Sequence, residues 1–317
     1  MLKAMLSRFS RKPSAAEFVE TLTLASLSPE AFVRLAYLVV LGRQIDPLGL
    51  ASWRAAISRN MFGHSDVVDQ ILRSEEYQRQ FGIHVNQRLH ASRLEWIKTL
   101  PKMDRLLDIG GSSPSRAEGA LIEFGYPHRP SLLDILDLPP ECQNWGTPSF
   151  NQAVPSEFDW GTVSYFHGCA EDIAKVQPLQ DRMYDGVFLG QAVEHIYPEA
   201  LPGILEWVRA HLAPSGRLIM DTPNRLLTKI QCPTWFIHPD HKLEYAPAQL
   251  EAVLVDNGFF VTKRVGITHL PTIAKTGVYD AREFHHAPLL HDDVDACYLF
   301  ALEAMRDEMW NPVERSS

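Results

Sequence analysis

Two short histidine groups in this chain could carry proton or metal chemistry. Glu194-His195 sets an acid beside an imidazole, and His238-Pro-Asp-His241 is followed closely by Glu244-Tyr245. Imidazole titrates near neutral pH, so a positioned histidine can take a proton from a hydroxyl. His195, just beyond an apolar run, is the favoured base and His241 the second candidate. Either would serve equally well as a structural hydrogen-bonder. His238, Asp240 and His241 are also metal-ligand types, but H-x-D-H spacing on a loop fixes no coordination geometry, and no metal is expected. A third group, Asp108-Ile-Gly110-Gly111-Ser112, suits ligand binding. Small residues after a strand let backbone N–H groups approach a ligand beside the next helix N-terminus. Asp134 lies on the following apolar run, and a carboxylate there can accept both hydroxyls of a ribose.

These groups need strands to hold them. Apolar runs at Arg105–Ile109, Ser131–Leu136, Thr162–Phe166, Tyr184–Leu189 and Arg217–Asp221 read as five strands. Helical patterns at Ala117–Phe124 and Pro198–Leu212 lie between them, and a further helix spans Pro247–Asn257. Such alternation predicts a doubly wound, mostly parallel α/β sheet with ligands at the carboxyl ends of its strands. Phe259–Val265 and Ala296–Leu302 have no helix directly between them and are expected to pair antiparallel at one sheet edge. Residues 139–161, rich in Pro, Asn, Ser and Gly, form a long loop carrying Trp145, Phe150, Phe158 and Trp160.

The first hundred residues read as helical. Phe32, Leu35, Ala36 and Val39 mark one helix face, Leu50, Trp53 and Ile57 a second, and Val68, Ile71 and Leu72 a third. Gly42 suits a helix stop, Asp46-Pro47 a start, and Ser65 a cap for the third helix. The expected division is a helical module over 1–84 and an α/β domain over 85–317.

The chain has 317 residues, 45% of them hydrophobic and 22% charged, enough apolar material for a sizeable core. No run approaches the roughly 18 apolar residues that span a bilayer. The net charge of −9 is uneven: residues 1–100 hold 13 Lys+Arg against 9 Asp+Glu, and the remainder 17 against 30. An acidic main body argues against a nucleic-acid partner, whose phosphates call for a basic face. The basic excess near the start, at Lys3, Arg8, Arg11 and Lys12, reads as a solvated tail or a weak membrane-surface or protein contact. Cys142, Cys169, Cys232 and Cys297 are widely spaced, which favours neither a disulfide framework nor a zinc knuckle and fits a cytoplasmic setting.

Two resemblances sharpen this reading. Phe32-Val-Arg-Leu-Ala-Tyr37, Leu41-Gly-Arg43, Asp46-Pro-Leu-Gly49, Trp53 and Ser74-Glu-Glu-Tyr77 with Phe81 resemble the DUF4214 family, related to phycobilisome-linker helical domains. Members are often fused to enzymes of bacterial surface glycans, and Trp53 and Tyr77 are expected in the core. Leu107-Asp-Ile-Gly110, Gly168-Cys-Ala-Glu-Asp-Ile173, Asp185 to Glu194-His195, and Pro214-Ser-Gly-Arg-Leu218 to Pro223-Asn224 resemble the class I S-adenosylmethionine-dependent methyltransferases of small molecules.

That second resemblance implies a seven-stranded Rossmann-like sheet and S-adenosylmethionine as cofactor. It puts Gly110, Gly111 and Ser112 around the methionine part, with Asp108 orienting their loop. Asp134, with Ile135 beside it, would bind the ribose. Cys169, Ala170 and Glu171 would lie by the adenine, and Gln191 near the methionine end. Glu194, Asn224, His238 and Tyr245 would face the acceptor. Ser112 and Pro114 depart from the usual glycines, and Cys169 from the usual Asp. A nicotinamide fingerprint G-x-G-x-x-G is absent. The implied activity is methylation of a small-molecule or glycan hydroxyl, with N- or C-methylation, or a silent binding protein acting through its helices, as alternatives. Self-association is left open.

Overall fold

The computed structural model of the chain describes residues 27–59, 63–139, 142 and 155–310. Lys3, Arg8, Arg11, Lys12, Trp145 and Phe150, and the side chains of Ser65, Leu72 and Phe81, lie outside what is described. The chain divides into two compact units between His84 and Val85.

In the first unit, α1 (Pro29–Leu41) starts where the Ser28 hydroxyl accepts the Ala31 N–H at 3.2 Å, and stops at Gly42 with φ +68°. The α2 helix (Pro47–Ser58) starts at Asp46, whose carboxylate accepts the Gly49 N–H at 2.8 Å, with Pro47 in the first turn. These caps satisfy backbone groups that a helix end leaves without partners. The α3 helix (His64–Arg73) is capped at Gly63, whose N–H is taken by Asp66 at 2.8 Å, rather than at the expected Ser65. The core joins Phe32, Val33, Ala36 and Val40 to Leu50, Val67, Val68, Ile71 and Tyr77. The α1 stripe is therefore shifted from expectation: Val33 and Val40 are buried, while Leu35 and Val39 are half-buried. The helix packs against both α2 and α3, which broadens and rotates its covered face. Tyr77 is buried there, and Trp53 packs beside it, donating its ring N–H to the Tyr37 hydroxyl at 3.1 Å.

The helix α4 (Glu75–Ile97) runs across the sequence boundary and is followed by the sheet. Its strands are β1 (Arg105–Ile109), β2 (Leu132–Asp137), β3 (Ser156–Phe158), β4 (Gly161–His167), β5 (Tyr184–Gly190), β6 (Leu212–Pro223), β7 (Phe259–His269), β8 (Leu290–His291) and β9 (Cys297–Arg306). They lie in the order β3-β4-β2-β1-β5-β6-β9-β7-β8. The strands β4, β2, β1, β5 and β6 are parallel, and β9 and β7 close that side as the expected antiparallel pair. The seven-stranded, doubly wound sheet is thus present, with β3 and β8 as two short additions at its edges. The chain winds from β1 out to β2 and β4, then returns to β5 and β6 on the other side. The order reverses between β1 and β5, the place where open α/β sheets hold ligands.

Both faces of the strands are apolar: Leu107, Ile109, Val187, Leu189, Leu218, Met220, Phe300 and Leu302 share one buried cluster on one face, and Leu106, Phe188, Ile219 and Ala301 are buried on the other. The α6 (Leu201–His211), α7 (Arg225–Gln231), α8 (Pro247–Asp256) and α9 (Pro271–Thr276) helices follow in the later half. The helix expected at Ala117–Phe124 is a single turn, α5 (Ala120–Glu123). Gly119 delays its start. This glycine has φ +83°, and a Cβ there would stand 2.4 Å from Ile135 Cδ1 and 3.0 Å from the Gly111 carbonyl oxygen. No helix among the described residues is long and apolar enough to cross a membrane.

Candidate functional site at the carboxyl edge of the sheet

The chain leaves β1 through Gly110, exposed with φ +82°, and Gly111, buried against Asp108. A Cβ on Gly111 would meet the Asp108 carboxylate at 2.2 Å, so only glycine allows this close approach. The loop is tied down by Gly110 N–H to the Leu136 carbonyl and Ala120 N–H to the Gly111 carbonyl, both 2.8 Å. Asp108 is buried, and its Oδ2 finds no hydrogen-bond partner among the described residues. Burial pushes its carboxyl up to about 7, with Asp137 and Asp221 adding and Arg93 opposing. An unsatisfied buried carboxylate oxygen beside a glycine turn is costly unless a ligand, a cation above all, compensates it. Ser113, Ser115 and Glu123 hydrogen-bond one another and brace the far side of the loop, where the motif departs from glycine.

Asp134 does not face a ligand. It is fully buried, accepts the Tyr184 hydroxyl at 2.7 Å and pairs with Arg182. Asp137, the last residue of β2, occupies the strand's carboxyl end. Its Oδ2 accepts the Ser112 N–H at 2.9 Å and its Oδ1 the Leu138 N–H at 2.7 Å. Each oxygen keeps a second lone pair, so this half-buried carboxylate can still accept two hydroxyls. Three positions apart on a strand of period two, Asp134 and Asp137 point to opposite faces. Ile135 is likewise fully buried, lying where a Cβ on Gly119 would be, and is closed off from a ligand.

At the end of β4, the Gly168 N–H donates to the Asp137 carbonyl at 2.9 Å, which keeps the β2 and β4 ends side by side. Cys169, Ala170 and Glu171 follow, all half-buried. The Cys169 thiol contacts the Glu171 carboxylate at 3.5 Å and is pushed up chiefly by burial. The other Glu171 oxygen accepts the Tyr197 N–H at 3.0 Å, linking this turn to the one after β5.

That next turn begins with Gln191, a non-glycine at φ +54°. Its backbone N–H meets the Asp221 carbonyl at 2.9 Å and its side-chain amide the Asp221 carboxylate at 2.8 Å. Arg93 from α4 completes the set, donating to Asp221 at 2.8 and 3.2 Å. These bonds account for the uncommon backbone at Gln191: two elements and a fully buried carboxylate hold it. Nothing in the sequence singles out Arg93, one of three arginines on a polar helix and 128 residues from its partner.

The histidine groups do converge. His195, exposed, and His241, buried, stand edge to face with ring centres 4.8 Å apart, and His238 lies 6.0 Å from His195. Burial, then the charges of His241 and His238, hold the His195 imidazole below its ordinary range. Glu194 is buried with its carboxylate on the Thr222 hydroxyl at 2.9 Å, and burial raises it to about 8. The Glu194 carbonyl accepts the N–H groups of Lys242 and Leu243 at 2.7 and 3.3 Å, clamping the 238–243 loop onto the turn after β5. His241 Nδ1 lies 2.8 Å from Glu244, which also accepts the Ile237 N–H at 2.7 Å, the Thr228 hydroxyl and Arg225 at 3.3 Å. Burial alone would raise Glu244, but these donors outweigh it and hold the carboxyl below its usual range.

Two further candidate residues are buried. Tyr245 is a core residue of the large apolar cluster. Asn224 is fully buried and caps α7 by accepting the Leu226 N–H at 2.9 Å, while its amide donates to the carbonyls of Val294, Asp295 and Cys297. His238 is half-exposed and accepts the Asp240 N–H at 3.3 Å.

The fold is a doubly wound α/β domain whose strand order reverses between β1 and β5. Residues 10–81 match the DUF4214 family, a domain of unknown function. No curated protein matches the sequence. Among solved structures, an S-adenosylmethionine-dependent methyltransferase from Archaeoglobus fulgidus is similar at 18% identity, over 69% of this chain and 94% of its own, with a TM-score of 0.47. A possible histamine N-methyltransferase from Thermotoga maritima follows at 16% identity, over 73% and 94%, with 0.46. The N-methyltransferase NodS of Bradyrhizobium japonicum is similar at 12% identity, over 71% and 97%, with 0.42.

Proposed function

We propose that the unit beginning at Val85 transfers the methyl group of S-adenosylmethionine to a hydroxyl of a small-molecule or glycan acceptor. The observation that carries this reading is the pairing of an unsatisfied Asp108 oxygen beside Gly111 with the open lone pairs of Asp137 at the next strand end. The first suits a cationic amino-acid end, the second a ribose, and the sequence motifs around them resemble those of methyltransferases. The residues present therefore fit this cofactor, which when bound supplies an electrophilic methyl on a sulfonium.

In this reading Gly110 and Gly111 give the methionine end its close approach, and Ser112 orients the Asp137 carboxylate through its own N–H. Cys169, Ala170 and Glu171 border the adenine side. Gln191, held by Asp221, would border the methionine end or the substrate mouth. His195, at the turn after β5, would take the proton of the acceptor hydroxyl. His241 stands edge to face with that histidine, and His238 would border the acceptor's entry. Alignment for in-line displacement is the larger contribution and proton removal the smaller one.

The glycan preference follows the company kept by DUF4214 modules and the acidic charge of residues 101–317. Mass spectrometry after incubating the full chain with methyl-labelled cofactor and a panel of sugar, hydroxyl and amine acceptors tests it. Label on oxygen is expected. Label only on nitrogen would move the assignment to an N-methyltransferase, and no transfer to any acceptor class would leave the silent binding protein.

A further inference from the structure

The fold gathers three ligand-type side chains that lie in two separate stretches of sequence. The ligand atoms of Glu194, His195 and His241 all fall within 4.8 Å of one another. We infer that these three residues form a site for a divalent transition-metal ion at the acceptor side of the crevice. The inference rests on that edge being the acceptor side, and it revises one detail there: His195 becomes a ligand instead of the direct proton acceptor.

The first support is that the set is fixed from behind. The Glu194 carbonyl takes two N–H groups from the segment that directly follows His241, so the two sequence stretches cannot drift apart. Glu194 itself is oriented by the Thr222 hydroxyl on β6.

The second support is the tautomer at His241. Its Nδ1 faces a carboxylate that accepts from four donors, counting the imidazole itself. The proton therefore sits on Nδ1 and points at Glu244, leaving the Nε2 lone pair free to bind. A carboxylate behind the far nitrogen of a ligating histidine is how protein metal sites orient and strengthen that ligand.

The third support is the donor set. Two imidazoles and one carboxylate suit zinc or iron(II), and three protein ligands leave positions open, as in catalytic rather than structural sites. Ligand atoms bound at about 2.1 Å stand roughly 3 to 3.6 Å from one another. The present spread of up to 4.8 Å is wider than that, and His195 is the exposed member of the three, while Glu194 and His241 are buried. His238 is outside the set, with its Nδ1 taken by the Asp240 N–H. Gln191 is outside it too, with its amide committed to Asp221. An acceptor hydroxyl in an open position would ionise more readily and release its proton to solvent.

Full-length protein, stripped with a chelator, is titrated with Zn²⁺ by calorimetry and with Co²⁺ by visible absorption. One equivalent should bind, with a cobalt spectrum of low coordination number and nitrogen ligation. His195→Ala, His241→Ala and Glu194→Gln should each weaken binding by at least about a hundredfold, and Glu244→Gln by about 10- to 100-fold through the lost hydrogen bond that orients His241. His286→Ala, on a distant surface turn, should bind as the wild type does. Melting curves report whether each variant is folded. Absence of stoichiometric binding to folded wild type, or binding retained in folded His195→Ala/His241→Ala, overturns the site. Cofactor binding measured on the same samples separates the two ideas: metal failure with cofactor bound removes the ion alone, and cofactor failure with metal bound removes the methyltransferase alone.

Discussion

Gly111 and Asp108 share a space that holds only one of their side chains: a Cβ on Gly111 would stand 2.2 Å from both Cγ and Oδ2 of Asp108. The glycine is there to let the carboxylate lie beside the loop backbone, and its φ is not in the left-handed region. Gly111→Ala should push Asp108 aside, weaken S-adenosylmethionine at least about tenfold and cost about 1–3 kcal/mol of stability through overpacking. Gly110→Ala should act differently. Its Cβ meets only Ala192 at 3.4 Å, so the cost is that of a positive φ, about 1–2 kcal/mol. Calorimetric titration and thermal melts on both variants check the contrast.

The two acids of β2 should separate cleanly. Asp137→Ala should lose most cofactor affinity with a near-unchanged melting temperature, because Asp137 is half-buried and only orders a loop. Asp134→Ala should do the reverse. It strands the Arg182 guanidinium and the Tyr184 hydroxyl, a loss on the order of 3–5 kcal/mol for a broken buried pair. If Asp134→Ala instead melts normally and fails to bind cofactor, the assignment of the ribose acid is wrong.

Asp108 should leave a signature in stability against pH. Its folded carboxyl, near 7, is raised above the ordinary 3.8, so the folded state holds its proton more tightly than the unfolded chain. That contribution is complete below about pH 4 and is lost as pH rises toward about 7. Asp108→Asn cannot ionise and should lack this decline, making the variant relatively more stable than wild type above pH 7. Melting temperatures of both proteins across a pH series give the difference directly.

Much of this was legible in the sequence, for identifiable reasons. The strand–helix alternation, the antiparallel final pair, Gly42 as a helix stop and Asp46-Pro47 as a start all follow from local backbone chemistry, and the structure has them. Which of Asp134 and Asp137 reaches the edge was not legible, because a strand's end is uncertain by a few residues in sequence; the structure buries Asp134 and puts Asp137 at the strand's end. Asn224 and Tyr245 sit in a motif-like stretch, yet their side chains serve a helix cap and the core. Arg93 and Glu244 were not legible. Arg93 matters through a partner 128 residues away, and Glu244, though named beside the histidines, gathers donors from Thr228 and Arg225 that single-sequence periodicity does not record.

Arg93 should prove structural to the site without touching ligand. Arg93→Met leaves the fully buried Asp221 carboxylate with the Gln191 amide but no cation. A loss of about 3–5 kcal/mol in denaturant unfolding is expected. Asp221→Asn in the same background should recover part of it, because the uncompensated charge is then gone.

The central claim is that the carboxyl edge around Asp108, Gly111 and Asp137 holds S-adenosylmethionine. Calorimetric titration of the full chain with that cofactor tests it most directly. One binding site is predicted, lost in an Asp137→Ala variant that melts as the wild type does. A cooperatively folded wild-type chain that gives no binding heat, and no displacement by S-adenosylhomocysteine in a competition format, would contradict it.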